Sequence, residues 1–125
     1  MSTREHLRPL SQVEVESRII ALCDELEDLT IEYRELCDAE AAAENAYKRT
    51  YHRAIIVHSE RSTMADGRKV TVSWIEAQAS LASEDSQALY RVKAASLRAT
   101  KEALTTKRTQ LDALRTLAAN IRGQT

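Results

Sequence analysis

The chain has 125 residues, a net charge of −1, two glycines, one proline and no phenylalanine, which suffices for one small core and leaves too few turn formers for hairpins or tight βα loops. Alanine supplies 19 of the 54 apolar residues, so the core is expected to be thin. The longest apolar run is the five residues Ile19 to Cys23, far short of the roughly 18 a membrane span needs, and residues 1–10 lack the apolar stretch of a secretory signal; a soluble, cytoplasmic protein without a membrane partner is expected.

Pro9 followed by Ser11-Gln12-Val13-Glu14 forms an S-x-x-E capping box, which places a helix start near Ser11 and leaves residues 1–10 as a flexible N-terminal arm. From Ile19 a 3-4 spacing then runs through Leu22, Leu26, Leu29, Tyr33, Leu36, Glu40, Ala43, Tyr47, Thr50, Ala54 and Val57, and ten of these twelve positions are apolar or aromatic. No glycine or proline interrupts Ser11 to Ala65, so one helix of about fifty residues, on the order of 75 Å, is predicted. A helix of that length needs a partner.

Asp66-Gly67-Arg68-Lys69 carries the only internal glycine and is read as the reversal, with the turn near 64–72 and the flanking helical patterns ending near Thr63 and restarting near Thr71 or Ser73. The return arm is traced through Trp74, Ala77, Leu81, Ala88, Val92, Ala95 and Ala99, then Leu104, Leu111, Leu114, Ala118 and Ile121, with Gly123 as its stop. Ser83-Glu84-Asp85-Ser86 could start a fresh helix inside it, because serine is a good N-cap and acids favour a first turn. The expected fold is all-α: an elongated antiparallel helical hairpin, one domain over 11–125, whose wide apolar stripe is completed by further copies of the chain.

Folding back at residue 66 sets residue i near residue 132 − i. The alanine-rich stretch Ala39 to Ala46 then faces the Ala88, Ala94, Ala95, Ala99 series, where small side chains would let backbones approach. Charge is partitioned to match. Residues 14–44 hold eleven acids against Arg18 and Arg34, a balance of −9, and residues 91–115 hold seven bases against Glu102 and Asp112, a balance of +5. Such flanks fix register more than they stabilise, since exposed pairs are worth about 0–1 kcal/mol each. Residues 48–69 carry a surplus of +4, with no acidic run opposite.

The chain contains no HExxH, GxSxG, Walker-type loop or CxxC, so no enzyme, cofactor or metal site is expected. His52 and His58, six residues apart, fall on different helical faces and read as solvated surface histidines. Cys23 and Cys37 lie about 21 Å apart on a continuous helix, too far for a disulfide, and read as reduced thiols acting as small buried hydrophobes.

The best functional candidate is Tyr47-Lys48-Arg49-Thr50-Tyr51-His52-Arg53, which interleaves aromatics with cations. Single-stranded nucleic acid is held by cations along its phosphates and by aromatic faces on which bases stack. Lys48, Arg49 and Arg53, with Arg61, Arg68 and Lys69 near the turn, are the expected phosphate contacts, and Tyr51 the stacking residue. Tyr47 sits on the apolar stripe and also reads as core, and Trp74 as an anchor of the turn.

In layout, residues 30–120 resemble small phage recombination mediators of the UvsY type. The likeness rests on the acidic-to-basic first helix ending in Tyr47 to Arg53, the linker Asp66-Gly67-Arg68 and the run Ser73-Trp74-Ile75-Glu76 through Leu81-Ala82-Ser83-Glu84-Asp85. It continues through Arg91-Val92-Lys93-Ala94-Ala95-Ser96-Leu97 to Gln110-Leu111-Asp112-Ala113-Leu114-Arg115. The resemblance implies a non-enzymatic homo-oligomer that binds single-stranded DNA and helps load a recombinase onto strands coated by single-stranded-DNA-binding protein, with Lys48, Arg49 and Arg53 as its basic helix residues. A rival reading is a coiled-coil adaptor for a protein partner, gripped by the acidic face between Asp24 and Glu44 or by the Leu97, Leu104, Leu111 row.

Overall fold

Ser11 accepts the backbone N–H of Glu14 on its Oγ at 3.2 Å, satisfying a helix-end donor as the capping box requires, and helix α1 follows over Gln12–Ser59. The computed structural model describes residues 10–61 and 67–124; the expected N-terminal arm up to residue 9, the helical pattern at 62–65 and Asp66 of the turn lie outside the described residues. α1 ends sooner than the lack of glycine and proline implied. The β-branched run Ile55-Ile56-Val57 loses rotamer freedom in a helix. Ser59 then turns its Oγ onto the Ile56 carbonyl at 3.0 Å, and the Arg61 N–H closes on the His58 carbonyl at 3.3 Å, tightening the end.

Gly67 holds a left-handed φ of +87°, which a Cβ would strain. Helix α2 spans Val72–Ala82, capped by Thr71, whose Oγ1 accepts the Trp74 N–H at 3.2 Å. Helix α3 spans Glu84–Gly123. Between them stands Ser83, 1% exposed, with its Oγ donating to the Ala79 carbonyl at 2.7 Å. The break read from the serine-acid tetrad is there: Ser83 leaves the helical region at φ −104° and ψ 9°, while its N–H still reaches the Ala79 carbonyl at 3.1 Å and its carbonyl accepts the Gln87 N–H at 2.8 Å. The covered positions Ala79, Ser83, Gln87 and Tyr90 keep helical spacing across it.

The architecture is all-α, an antiparallel helical hairpin with no strand among the described residues, and none of its described helices is long and apolar enough to cross a membrane. The chain forms two compact units, Met1–Tyr33 with Thr100–Thr125, and Arg34–Ala99. In the first, Glu25 Oε2 and Lys107 Nζ pair across the hairpin at 2.7 Å. Arg18, Leu22, Gln110 and Leu114 line one groove there, over a core of Leu104, Leu111 and Ala118. In the second, Tyr47 stacks on Tyr90 with centroids 6.1 Å apart, Gln87 Nε2 donates to the Tyr47 hydroxyl at 3.4 Å, and Ala43, Ala54 and Ala79 are buried. Glu25 with Lys107 and His58 with Trp74 keep the 132 − i register; the partners of Tyr47 lie two and five residues beyond it.

Half of the return arm was traced on the wrong face. Ala77, Leu81, Ala88, Val92, Ala95 and Ala99 are all exposed, and Ala79, Ser83, Gln87, Tyr90, Ala94, Leu97 and Thr100 form a covered row. The arm carries two rows, and the more apolar one points outward. The inner row admits Ser83 because its hydroxyl is satisfied by Ala79, and Gln87 because it serves Tyr47. The expected alanine-on-alanine approach is therefore absent: Ala43 is buried and Ala94 half-buried, but Ala88, Ala95 and Ala99 face solvent. On α1 the stripe holds through Ala54 and then drifts, as a 3.5-residue repeat does on a 3.6-residue helix; Val57 is 49% exposed and His58 is covered in its place. Cys23 and Cys37 are free thiols, but Cys23 is exposed and so fills no core position.

Candidate nucleic-acid interface

The last four turns of α1 sort the basic-aromatic segment by helical phase. Arg49 and Arg53, one turn apart, form one exposed column, and Lys48 with His52 forms the next. Among the described residues no carboxylate pairs with Arg49 or Arg53. Lys48 differs: its Nζ lies 2.6 Å from Glu44 Oε1 one turn back. That hydrogen bond, with the carboxylate's charge, holds the ammonium pKa above its ordinary 10.5. The surplus positive charge is thus partly neutralised inside α1, a partner that looking only across the hairpin overlooked.

Tyr47 and Tyr51, four residues apart, part company. Tyr47 turns inward onto Tyr90 and Gln87, as its place on the stripe dictates. Tyr51 stays half-buried at the margin, its ring 6.3 Å from Tyr47 at 57° and 6.0 Å from His52 at 72°. At about 100° per residue Tyr51 lies on the opposite side of α1 from Arg49 and Arg53, and the exposed His52 ring between them is the aromatic edge that borders the arginine column. His52 was read only as a solvated histidine; its position four residues after Lys48 and next to Tyr51 is the signal that assigns it to this surface.

Arg61, Arg68 and Lys69 are exposed too, but they stand on the connection between α1 and α2, off the helical columns. His58 is no solvated histidine. Its ring meets Trp74 edge-on at 5.4 Å and 89°, and its Nδ1 is buried without a hydrogen-bond partner among the described residues. The pair seats the start of α2 against the end of α1, the anchoring role read for Trp74. Of the adaptor surfaces, the leucine row faces inward, with Leu104 4% and Leu111 6% exposed, whereas Asp24, Glu27, Asp28, Glu32, Glu35 and Asp38 are exposed.

A guanidinium column beside an imidazole edge can bind polyanions by two additive routes: bidentate hydrogen bonds to phosphate oxygens and stacking of an unpaired base. No protein-family model, no curated protein and no solved structure matches the chain, and the functional reading rests on these residues.

Proposed function

We propose that the chain is a non-enzymatic accessory protein that binds single-stranded DNA without reading its sequence. Like the mediators it resembles, it helps load a recombinase onto strands covered by single-stranded-DNA-binding protein, working in the cytoplasm, that of the host cell if it is phage-encoded. The observation that carries this reading is the exposed Arg49–Arg53 column with the exposed Lys48–His52 column beside it, and Tyr51 against the far side of His52. Arg49 and Arg53 hold successive phosphates, Lys48 joins them when it leaves Glu44, and Tyr51 takes a base on its open side. Arg61, Arg68 and Lys69 extend the positive field beyond the helix end. A single copy offers few contacts, so avidity from several copies sets the affinity.

Fluorescence anisotropy with a labelled oligonucleotide tests this directly. Affinity falls with salt, and in a Lys48→Ala, Arg49→Ala, Arg53→Ala variant the log–log salt slope becomes shallower by about 1.4, the weight of the Arg49 and Arg53 contacts at roughly 0.7 per phosphate on a single strand while Glu44 holds Lys48. All three side chains are exposed, so the variant keeps its helicity. Binding indifferent to salt, or unchanged in the triple variant, overturns the proposal. The exposed acidic face from Asp24 to Asp38 supports the second reading, an adaptor for another protein; a specific partner in a pull-down, with no oligonucleotide affinity at low salt, would favour it.

A further inference from the structure

The row that the hairpin leaves outside is an ordered surface. Leu81, Asp85, Ala88, Val92, Ala95 and Ala99 follow a 4-3-4-3-4 spacing, and at 3.6 residues per turn they stay within about 80° of arc over roughly 27 Å of helix. The covered positions Ala79, Ser83, Gln87 and Tyr90 on the opposite side keep a 4-4-3 spacing across Ser83, so the outer row keeps its face there. Leu81 is 65% and Val92 59% exposed, and Leu89 beside them is 52% exposed. The diametrically opposite positions Ser83, Tyr90 and Leu97 are the ones covered within the hairpin. The row is therefore a heptad seam facing solvent, on a chain whose own described core contains seven buried apolar residues, four of them alanine.

We infer that this seam is an interface for a second copy of the chain, packed antiparallel about a two-fold axis near residue 90. Reversal about that point maps the row onto itself: Leu81 lies over Ala99 of the other copy, Ala88 over Val92, and Asp85 over Ala95. Each large side chain meets a small one, which lets two helices approach closely. The flanks agree. Glu84, Arg91 and Arg98 line one side of the seam, so that antiparallel packing sets Glu84 of each copy against Arg98 of the other, twice over by symmetry. Parallel packing sets those charges against Leu89, Ser96 and Ala103 and pairs none of them. On the other flank Leu89 meets its own copy near the axis. Two contacts are unfavourable: Arg91 against Arg91, also near the axis, and the Asp85 carboxylate over Ala95, which gives it no partner.

The inference does not depend on nucleic acid, and it is tested without any. Light scattering of the full chain after size-exclusion chromatography, over a range of concentrations, gives a dimer near twice the 14.0 kDa of one chain. Leu81→Glu with Val92→Glu yields a monomer of unchanged helicity, because neither side chain belongs to the internal core. Glu84→Arg or Arg98→Glu alone weakens association about tenfold, since each change alters both symmetry-related pairs; the two together restore it. Arg91→Gln tightens it. A chain that is monomeric at every concentration overturns the inference, as does an assembly that survives the double glutamate variant. If the charge swap fails to restore association, the antiparallel arrangement is wrong.

Discussion

The two units build their interiors from different materials. In the unit of Met1–Tyr33 and Thr100–Thr125, leucines at heptad spacing are buried and a cross-hairpin ion pair fixes the register. In the unit of Arg34–Ala99, alanines, a tyrosine stack, a glutamine-to-tyrosine hydrogen bond and a buried serine fill the inner face, while leucine and valine face solvent. Both units leave large apolar side chains exposed, Val13, Ile20 and Ile31 in the first and Ile56, Leu81, Leu89 and Val92 in the second. The first also buries leucines, whereas the buried apolar residues of the second are alanines. Leucine packing is thus concentrated in one unit, and the other holds its outward row over a thinner core.

The largest effect that would break this comparison lies in the first core. Leu104→Ala or Leu111→Ala should cost about 2–5 kcal/mol, read as a drop in melting temperature, whereas Ile56→Ala in the second unit, 60% exposed, should stay within about 0.5 kcal/mol. Equal losses at the two sites would mean that Ile56 is covered in solution. Next in size is Tyr47→Phe, which removes the hydroxyl that accepts from Gln87 and should cost about 0.5–1.5 kcal/mol; no loss would mean that the inner face of this unit is held by stacking alone. His58→Ala should uncover Trp74. Because Trp74 is the only tryptophan, its emission should shift to the red, and an unmoved spectrum would contradict the edge-on contact at 5.4 Å.

What the sequence made legible divides along the same line. Periodicity in α1, the capping serine, the glycine reversal and the 132 − i register were readable because each rests on a local signal or on a long unbroken repeat. Leu104, Leu111 and Ala118 were readable because leucine and alanine at heptad spacing offered only one row there. Between Trp74 and Ala99 two rows competed, and counting apolar letters chose the outer one. The inner row depends on Ser83, Gln87 and Thr100, two of which are acceptable inside because of hydrogen bonds that only the folded arrangement provides. At the candidate interface, Arg49 and Arg53 were legible from composition, while the sorting of Tyr47 from Tyr51 and the tie between Lys48 and Glu44 followed from helical phase.

That tie gives the smallest and most local prediction. Glu44 raises the Lys48 pKa, first through its hydrogen bond and then through its charge. A raised folded-state value means that the pair's contribution is fully present below the ordinary lysine value of 10.5 and disappears as pH climbs through the raised one. Across neutral pH the pair is therefore constant, and strongly alkaline conditions release it. Glu44→Gln should bring the Lys48 titration, followed by NMR at its side-chain carbons, back down toward the ordinary value. It should also steepen the salt slope of oligonucleotide binding by about 0.7, the weight of one freed phosphate contact on a single strand. A Lys48 titration that does not move would show that the pair is not populated in solution. One that moves without any change in the salt slope would place Lys48 outside the nucleic-acid contact and leave Arg49 and Arg53 to carry it.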